Sequence, residues 1–317
     1  MAINGMMKAA LKALSYPELD VRKNYQLVRK MTNAAHVHVF KPFYKTWDHR
    51  IQCGDHAIPV RIYAPNQDVS ERYLDVRRPV LLFFHGGGWV TGNIDSYDKV
   101  CTNLAIHTNH LVVSVDYRLA PEYRFPAGLD DCYTAAREAI LRAGLLNTLP
   151  EDITLIGDSA GGNLAAAVSL MARDRGEFMP KRQILLYPAV NNNHTPEGSQ
   201  FDSIRENGTD YLLTSKRVCE YMELYRSSEE DLQSPYFAPL LGELSHQPDT
   251  LIITAEYDPL RDEGEEYGRR LKAAGNRVEI HRIPDALHGF FSLPPNFSQV
   301  KSCYEIISRF LREGYRE

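Results

Sequence analysis

The hydrophobic positions of this chain fall mostly into short unbroken runs. Residues 79–84, 111–115, 153–156 and 184–187 are apolar almost throughout, each is bounded by Gly, Pro or Asp, and several lead into a stretch with helical spacing. A strand that is apolar at every position has no face to give to water. Strands of this kind alternating with helices therefore specify a mostly parallel sheet covered on both sides. Residues 56–63 alternate only in part before Pro65-Asn66 ends them, and two later runs, 250–254 and 278–283, extend the strand set. Between those two, residues 262–274 have the charge and spacing of an exposed helix, closed by the stop signal Gly275-Asn276.

Two segments break this rhythm. Residues 1–45 are rich in Lys, Met, Leu and Ala, with helix-like spacing at Leu11, Leu14 and Leu27. Residues 190–235 open on the polar Asn191-Asn192-Asn193-His194 and turn helical over 215–226. An insertion after a strand of a parallel sheet starts at the sheet's carboxyl edge and is expected to fold over it as a lid. The expected organisation is an α/β domain over 46–317, with residues 1–45 and 190–235 as two parts of a helical cap.

Composition narrows the functional classes. The chain has 317 residues, 44% hydrophobic and 24% charged, the balance of an ordinary globular protein. Its net charge of −5 and lack of a long basic run argue against nucleic acid or an anionic membrane as partner. There is no 18-residue apolar span and no signal-peptide core near the start, so the expected location is the cytoplasm. The five cysteines (Cys53, Cys101, Cys132, Cys219, Cys303) are scattered, with no CxxC pair, which suits free thiols rather than disulfides or a zinc site.

The strongest chemical signal is Gly157-Asp158-Ser159-Ala160-Gly161, placed between the strand at 153–156 and a helical run at 163–173. A serine on a sharp strand-to-helix turn is exposed above the sheet, its small neighbours avoid steric clash, and the helix below supplies a positive dipole end. GxSxG alone arises by chance in about one chain in ten of this length; its position between strand and helix gives it meaning. The second signal is His85-Gly86-Gly87-Gly88-Trp89, at the end of the strand at 79–84. Consecutive glycines leave backbone N–H groups free to face a developing oxyanion. Gly86, Gly87 and Gly88, with Ala160, are the candidate oxyanion hole, the amides of Gly87, Gly88 and Ala160 foremost. Neither GxxxxGK[ST] nor GxGxxG is present to suggest a phosphate loop.

A base and an orienting acid should follow. His288 lies in a loop after the last strand, followed by a small residue, and Asp258 opens the loop after the preceding strand. Glu256 competes with Asp258, and Asp262 suits the start of the next helix. The order Ser159, Asp258, His288 is that of α/β-hydrolases. Asp158, and Asp116, Arg118 and Glu122 in Asp116-Tyr117-Arg118-Leu119-Ala120-Pro121-Glu122, are read as braces, the last three through ion pairs under the Gly-rich loop. Trp89, Tyr187, Phe290 and Phe291 are candidates either for lining a pocket or for the core.

Together HGGGW at 85–89, DYRLAPE at 116–122, GDSAGGN at 157–163, DPLRDEG at 258–264 and HGF at 288–290 strongly resemble the hormone-sensitive lipase family of esterases. The resemblance implies an α/β-hydrolase fold and a triad of Ser159, Asp258 and His288. It also implies an oxyanion hole from the loop that His85 opens plus Ala160, and a cap built from the two helical segments. The implied substrate is a small-molecule ester of short to medium acyl length, acetate to about octanoate, with no cofactor and no metal; a homo-oligomer is left open. Two rival readings use the same scaffold, an amidase or arylformamidase and a non-catalytic small-molecule receptor; the intact triad residues argue against the second.

Overall fold

Residues 11, 12, 15, 19–36, 46–65 and 77–313 are described by the computed structural model. Much of the expected N-terminal helical region, Leu14 included, lies outside the described residues. Eight strands among them form one sheet: β1 (Thr46–Cys53), β2 (His56–Tyr63), β3 (Val80–Phe84), β4 (Leu111–Val115), β5 (Ile153–Asp158), β6 (Arg182–Leu186), β7 (Asp249–Tyr257) and β8 (Val278–Leu287). Their order across the sheet is β1-β2-β4-β3-β5-β6-β7-β8. β1 pairs with β2, and β2 with β4, antiparallel; every other pairing is parallel. Among the described residues the α-helices with full bounds are α1 (Val21–His36), α2 (Asp98–Thr108), α3 (Ala127–Leu141), α4 (Ala160–Arg175), α5 (Asp202–Asn207), α6 (Ser215–Tyr225), α7 (Arg261–Ala273) and α8 (Ser298–Glu313).

β3, β4, β5 and β6 are buried at every position, as unbroken apolar runs require. Alternate side chains of β3 enter separate cores. Val80, Leu82 and Phe84 pack with α3, α4 and α7, while Leu81 and Phe83 pack with α2 and α8. β1, with its mixed and largely solvated TWDHRIQC sequence, is an edge strand that carries little apolar signal. α8 covers the second face through Val300, Cys303, Tyr304, Ile307, Phe310 and Leu311, a spacing of three and four that marks one helix face. Leu27 is not a core residue: it is 49% exposed, and α1 instead buries Val21.

The segment after β6 contains α5 and α6, and α1 packs against α6. Glu220 of α6 accepts the Val21 N–H at 2.9 Å, and Arg22 pairs with Glu223 at 2.9 Å. α6 starts at Thr214, whose side chain accepts the Arg217 N–H, and it buries Val218, Met222 and Tyr225 along one stripe. No helix among the described residues is long and apolar enough to cross a membrane.

Sheet register brings the distant motifs together. Phe84 lies opposite Gly157, so the chain leaves β3 for the Gly-rich loop beside the point where it leaves β5 for Ser159. Tyr257 lies opposite Leu287 across a register shift, which makes Asp258 and His288 neighbours although thirty positions separate them.

Candidate active site

Ser159 occupies the turn between β5 and α4 with φ 54° and ψ −118°, a backbone conformation that side-chain-bearing residues avoid. The turn is closed by contacts that tolerate no added atoms: a Cβ at Gly161 would lie 1.9 Å from the Phe84 carbonyl oxygen. The Ser159 N–H donates to Leu186 O at 2.8 Å, tying the elbow to the end of β6. Asn163, one turn into α4, donates to the carbonyls of Ala189 and Phe237 and holds the following loop in place.

Three side chains meet above this turn. His288 Nε2 is 2.8 Å from Ser159 Oγ, and His288 Nδ1 is 2.7 Å from Asp258 Oδ2. Asp258 is fully buried, and its other oxygen accepts the Leu260 N–H at 2.9 Å, which fixes the carboxylate plane. Glu256 is still inside β7 and accepts the Asp285 N–H at 2.7 Å, so it stabilises the loop before His288 instead of facing the ring. Tyr187 packs edge-on against the His288 ring, with centroids 4.9 Å apart, and Phe290 packs on Tyr187.

The Gly-rich loop divides its amides between structure and cavity. Gly86 is a correction to the sequence reading as a donor candidate: its N–H is taken by Asp158 Oδ1 at 2.7 Å and lies 3.1 Å from Tyr97 Oη. The amides of Gly87, Gly88 and Ala160 meet no acceptor among the described residues, and all three residues line the cavity that contains Ser159. Gly87 has φ 114° and would place a Cβ 2.2 Å from Thr91 O, so this bend admits only glycine. His85 is fully buried and stacked on Tyr117 at 4.3 Å, and burial pushes its imidazole below the usual range, toward the neutral form.

Asp158 braces the loop through two contacts, Gly86 N–H and the Tyr97 hydroxyl, which donates at 3.1 Å. Its burial raises the carboxyl to about 6, against the opposing pull of those hydrogen bonds and of His288. Tyr97 carries no recognisable sequence signal and was not anticipated. The other expected braces do not pair with one another. Asp116 accepts the Ile94 N–H, Arg118 forks onto Asp131 of α3, and Glu122 receives Arg29 of α1. The reason is burial: the enclosed Asp131 carboxylate requires a cation, and Arg118 supplies it. Arg29 also donates to the carbonyls of Val90 and Ala120, so α1 is tied directly to the chain beyond the Gly-rich loop.

The cavity over Ser159 measures about 270 Å³. Gly86 to Trp89, Thr91, Tyr97, Ser159, Ala160 and His288 form its floor, and Thr32 of α1 with Leu212, Leu213, Arg217, Val218 and Tyr221 forms the opposite wall. Of the four aromatic candidates, Trp89 lines this cavity and also stacks on Tyr225 at 4.5 Å. Tyr187, Phe290 and Phe291 are core residues, since the sheet and α8 cover them. Arg217 and Tyr221 were not singled out from sequence.

Among the described residues, Cys53, His56 and Asp131 are the one group of metal-binding types that draws together, with donor atoms within 4.8 Å. Cys53 and His56 lie on the β1–β2 hairpin and Asp131 on α3, and the Arg118 guanidinium on both Asp131 oxygens places positive charge where a cation would sit. The five cysteines are free thiols, as expected from their spacing.

Residues 81–292 match a protein family described by the alpha/beta hydrolase fold. The chain is 36% identical over 261 residues to an arylesterase of Saccharolobus solfataricus, covering 82% of this chain and 81% of that one. It is 35% identical over 240 residues to an ethyl acetate hydrolase of Pseudomonas putida, covering 75% and 73%. A solved hyperthermophilic esterase from the archaeon Pyrobaculum calidifontis superposes with a TM-score of 0.84 at 36% identity, covering 99% of each chain. These likenesses agree with the geometry, and the chain belongs to the α/β-hydrolase family, among its carboxylesterases related to hormone-sensitive lipase.

Proposed function

We propose that this protein hydrolyses small carboxylic esters by two-step acyl transfer from Ser159. Ser159 Oγ attacks the ester carbonyl while His288 Nε2 takes its proton. Asp258 accepts the hydrogen bond from Nδ1, holding the ring in that tautomer and stabilising its cation. The tetrahedral oxyanion faces the N–H groups of Gly87, Gly88 and Ala160. His288 returns the proton to the departing alcohol, and a water activated by the same imidazole releases the acid. The observation that carries this reading is the continuous chain from Asp258 to His288 to Ser159, at 2.7 and 2.8 Å, on a serine held in a strained turn.

The substrate reading is short to medium acyl esters. A cavity of about 270 Å³ lies at the small end of ligand pockets, which run roughly 300–1,000 Å³. Residues 1–45 and 190–235 act as a cap on this reading, supported by the side chains from α1 and α6 that form the wall opposite Ser159. Ser159→Ala should abolish both p-nitrophenyl acetate hydrolysis and covalent labelling by a fluorophosphonate. Retention of most activity in that variant refutes the assignment.

A further inference from the structure

We propose that Arg217 makes this site selective for esters that carry a second, anionic group, of which a carboxylate fits its guanidinium best. The proposal rests on hydrolysis at Ser159 and names the substrate class of that site.

Arg217 is the only lysine or arginine among the described residues that line the cavity. The other charged groups there are accounted for. Asp158 is held by Gly86 and Tyr97, and His288 by Ser159 and Asp258. Among the described residues the Arg217 side chain makes one long contact, Nη1 to Leu212 O at 3.5 Å, and has no carboxylate within 4.0 Å. Its nearest acidic neighbours in sequence are engaged elsewhere. Glu220 receives the Val21 N–H and stands 3.7 Å from Lys216, Glu223 pairs with Arg22 at 2.9 Å, and Asp210 is 3.7 Å from Lys12. Arginines elsewhere, such as Arg29, Arg61, Arg118 and Arg282, are each matched to a carboxylate.

Position on the helix adds to this. Arg217 is in the first turn of α6, a turn with no acidic residue, so its charge adds to the positive end of the helix dipole. A cation there weakens the helix, and its neighbours in the cavity wall, Leu212, Leu213, Val218 and Tyr221, give it no counter-charge. A half-buried guanidinium facing an ester site in this setting is complementary to a planar anion, which it binds through two parallel N–H donors. A substrate with a free carboxylate on its acyl or alcohol part supplies that anion.

The test compares matched esters: monoethyl succinate, glutarate and adipate against ethyl butyrate, valerate and hexanoate, and O-acetylglycolate against ethyl acetate. For the wild type, kcat/KM for at least one anionic ester should exceed that of its neutral partner. Arg217→Gln should lower the anionic-to-neutral ratio by roughly 10- to 100-fold, with Arg217→Lys intermediate. Labelling of Ser159 by a fluorophosphonate shows that each variant is folded. A measurement on the wild type alone, inhibition by succinate, glutarate and adipate, should be tighter than by butyrate, valerate and hexanoate and should weaken with salt. Equal ratios in wild type and Arg217→Gln, with neutral esters still turned over, overturn the proposal and leave the hydrolase reading intact. Absence of Ser159-dependent turnover of either class of ester by the wild type overturns both.

Discussion

At the scale of single residues, the site depends on groups held in costly states by their neighbours. Ser159 keeps an unfavourable backbone conformation because β5, α4 and the Leu186 carbonyl fix both sides of the turn. Asp258 is buried with both oxygens bonded, so its amide equivalent would donate to the ring where the carboxylate accepts. Asp258→Asn should therefore lower kcat for p-nitrophenyl butyrate by roughly ten-thousand-fold, with unfolding by urea little changed. Asp158 gives a pH-dependent prediction. Its carboxyl is raised from 3.8 to about 6 in the fold, so the native state holds the proton more tightly than the unfolded chain. The associated stability is complete below pH 3.8 and is lost as pH rises through about 6. Relative to Asp158→Asn, the wild type should lose about 2 kcal/mol between pH 4 and pH 6, measured by urea unfolding at each pH.

At the scale of elements, legibility follows burial. β3 to β6 were readable because a strand enclosed on both faces has to be apolar throughout. β1 was not, because an edge strand with solvated side chains leaves no pattern that a loop would not also show. α8 did carry a pattern: Val300, Cys303, Tyr304, Ile307 and Leu311 recur at three and four residues, and reading that period would have found the helix. Ile307 is fully buried on that stripe and far from the reacting groups. Ile307→Ala should cost about 2–5 kcal/mol of unfolding free energy while leaving kcat for p-nitrophenyl butyrate unchanged. Within residues 116–122, Arg118 and Glu122 pair with Asp131 and Arg29, which come from α3 and α1 and so leave no mark in the local spacing.

At the scale of the whole molecule, the sheet delivers four chain segments to one edge, and α1 with α6 encloses what they deliver. The cavity of about 270 Å³ suits a short to medium acyl chain. Across p-nitrophenyl esters from acetate to palmitate, kcat/KM should peak between acetate and octanoate; a maximum at palmitate contradicts the cavity reading. Because Arg22 and Glu220 join α1 to α6 while Arg29 joins α1 to the chain beyond the Gly-rich loop, the wall and the floor of the cavity share one helix.

The sequence by itself determined the sheet's central strands, the elbow serine, the glycine loop and the order of Ser159, Asp258 and His288, since each of these leaves a local mark in residue type or spacing. Only the tertiary structure decided which amides face the cavity, which acid meets His288 and where Arg217 points. Those outcomes depend on strand register and on side chains from elements far apart in the chain, such as Phe84 beside Gly157 and Tyr257 beside Leu287. A local pattern fixes what one segment prefers; the pairing of segments fixes which groups are consumed in holding the fold and which are left to meet a substrate.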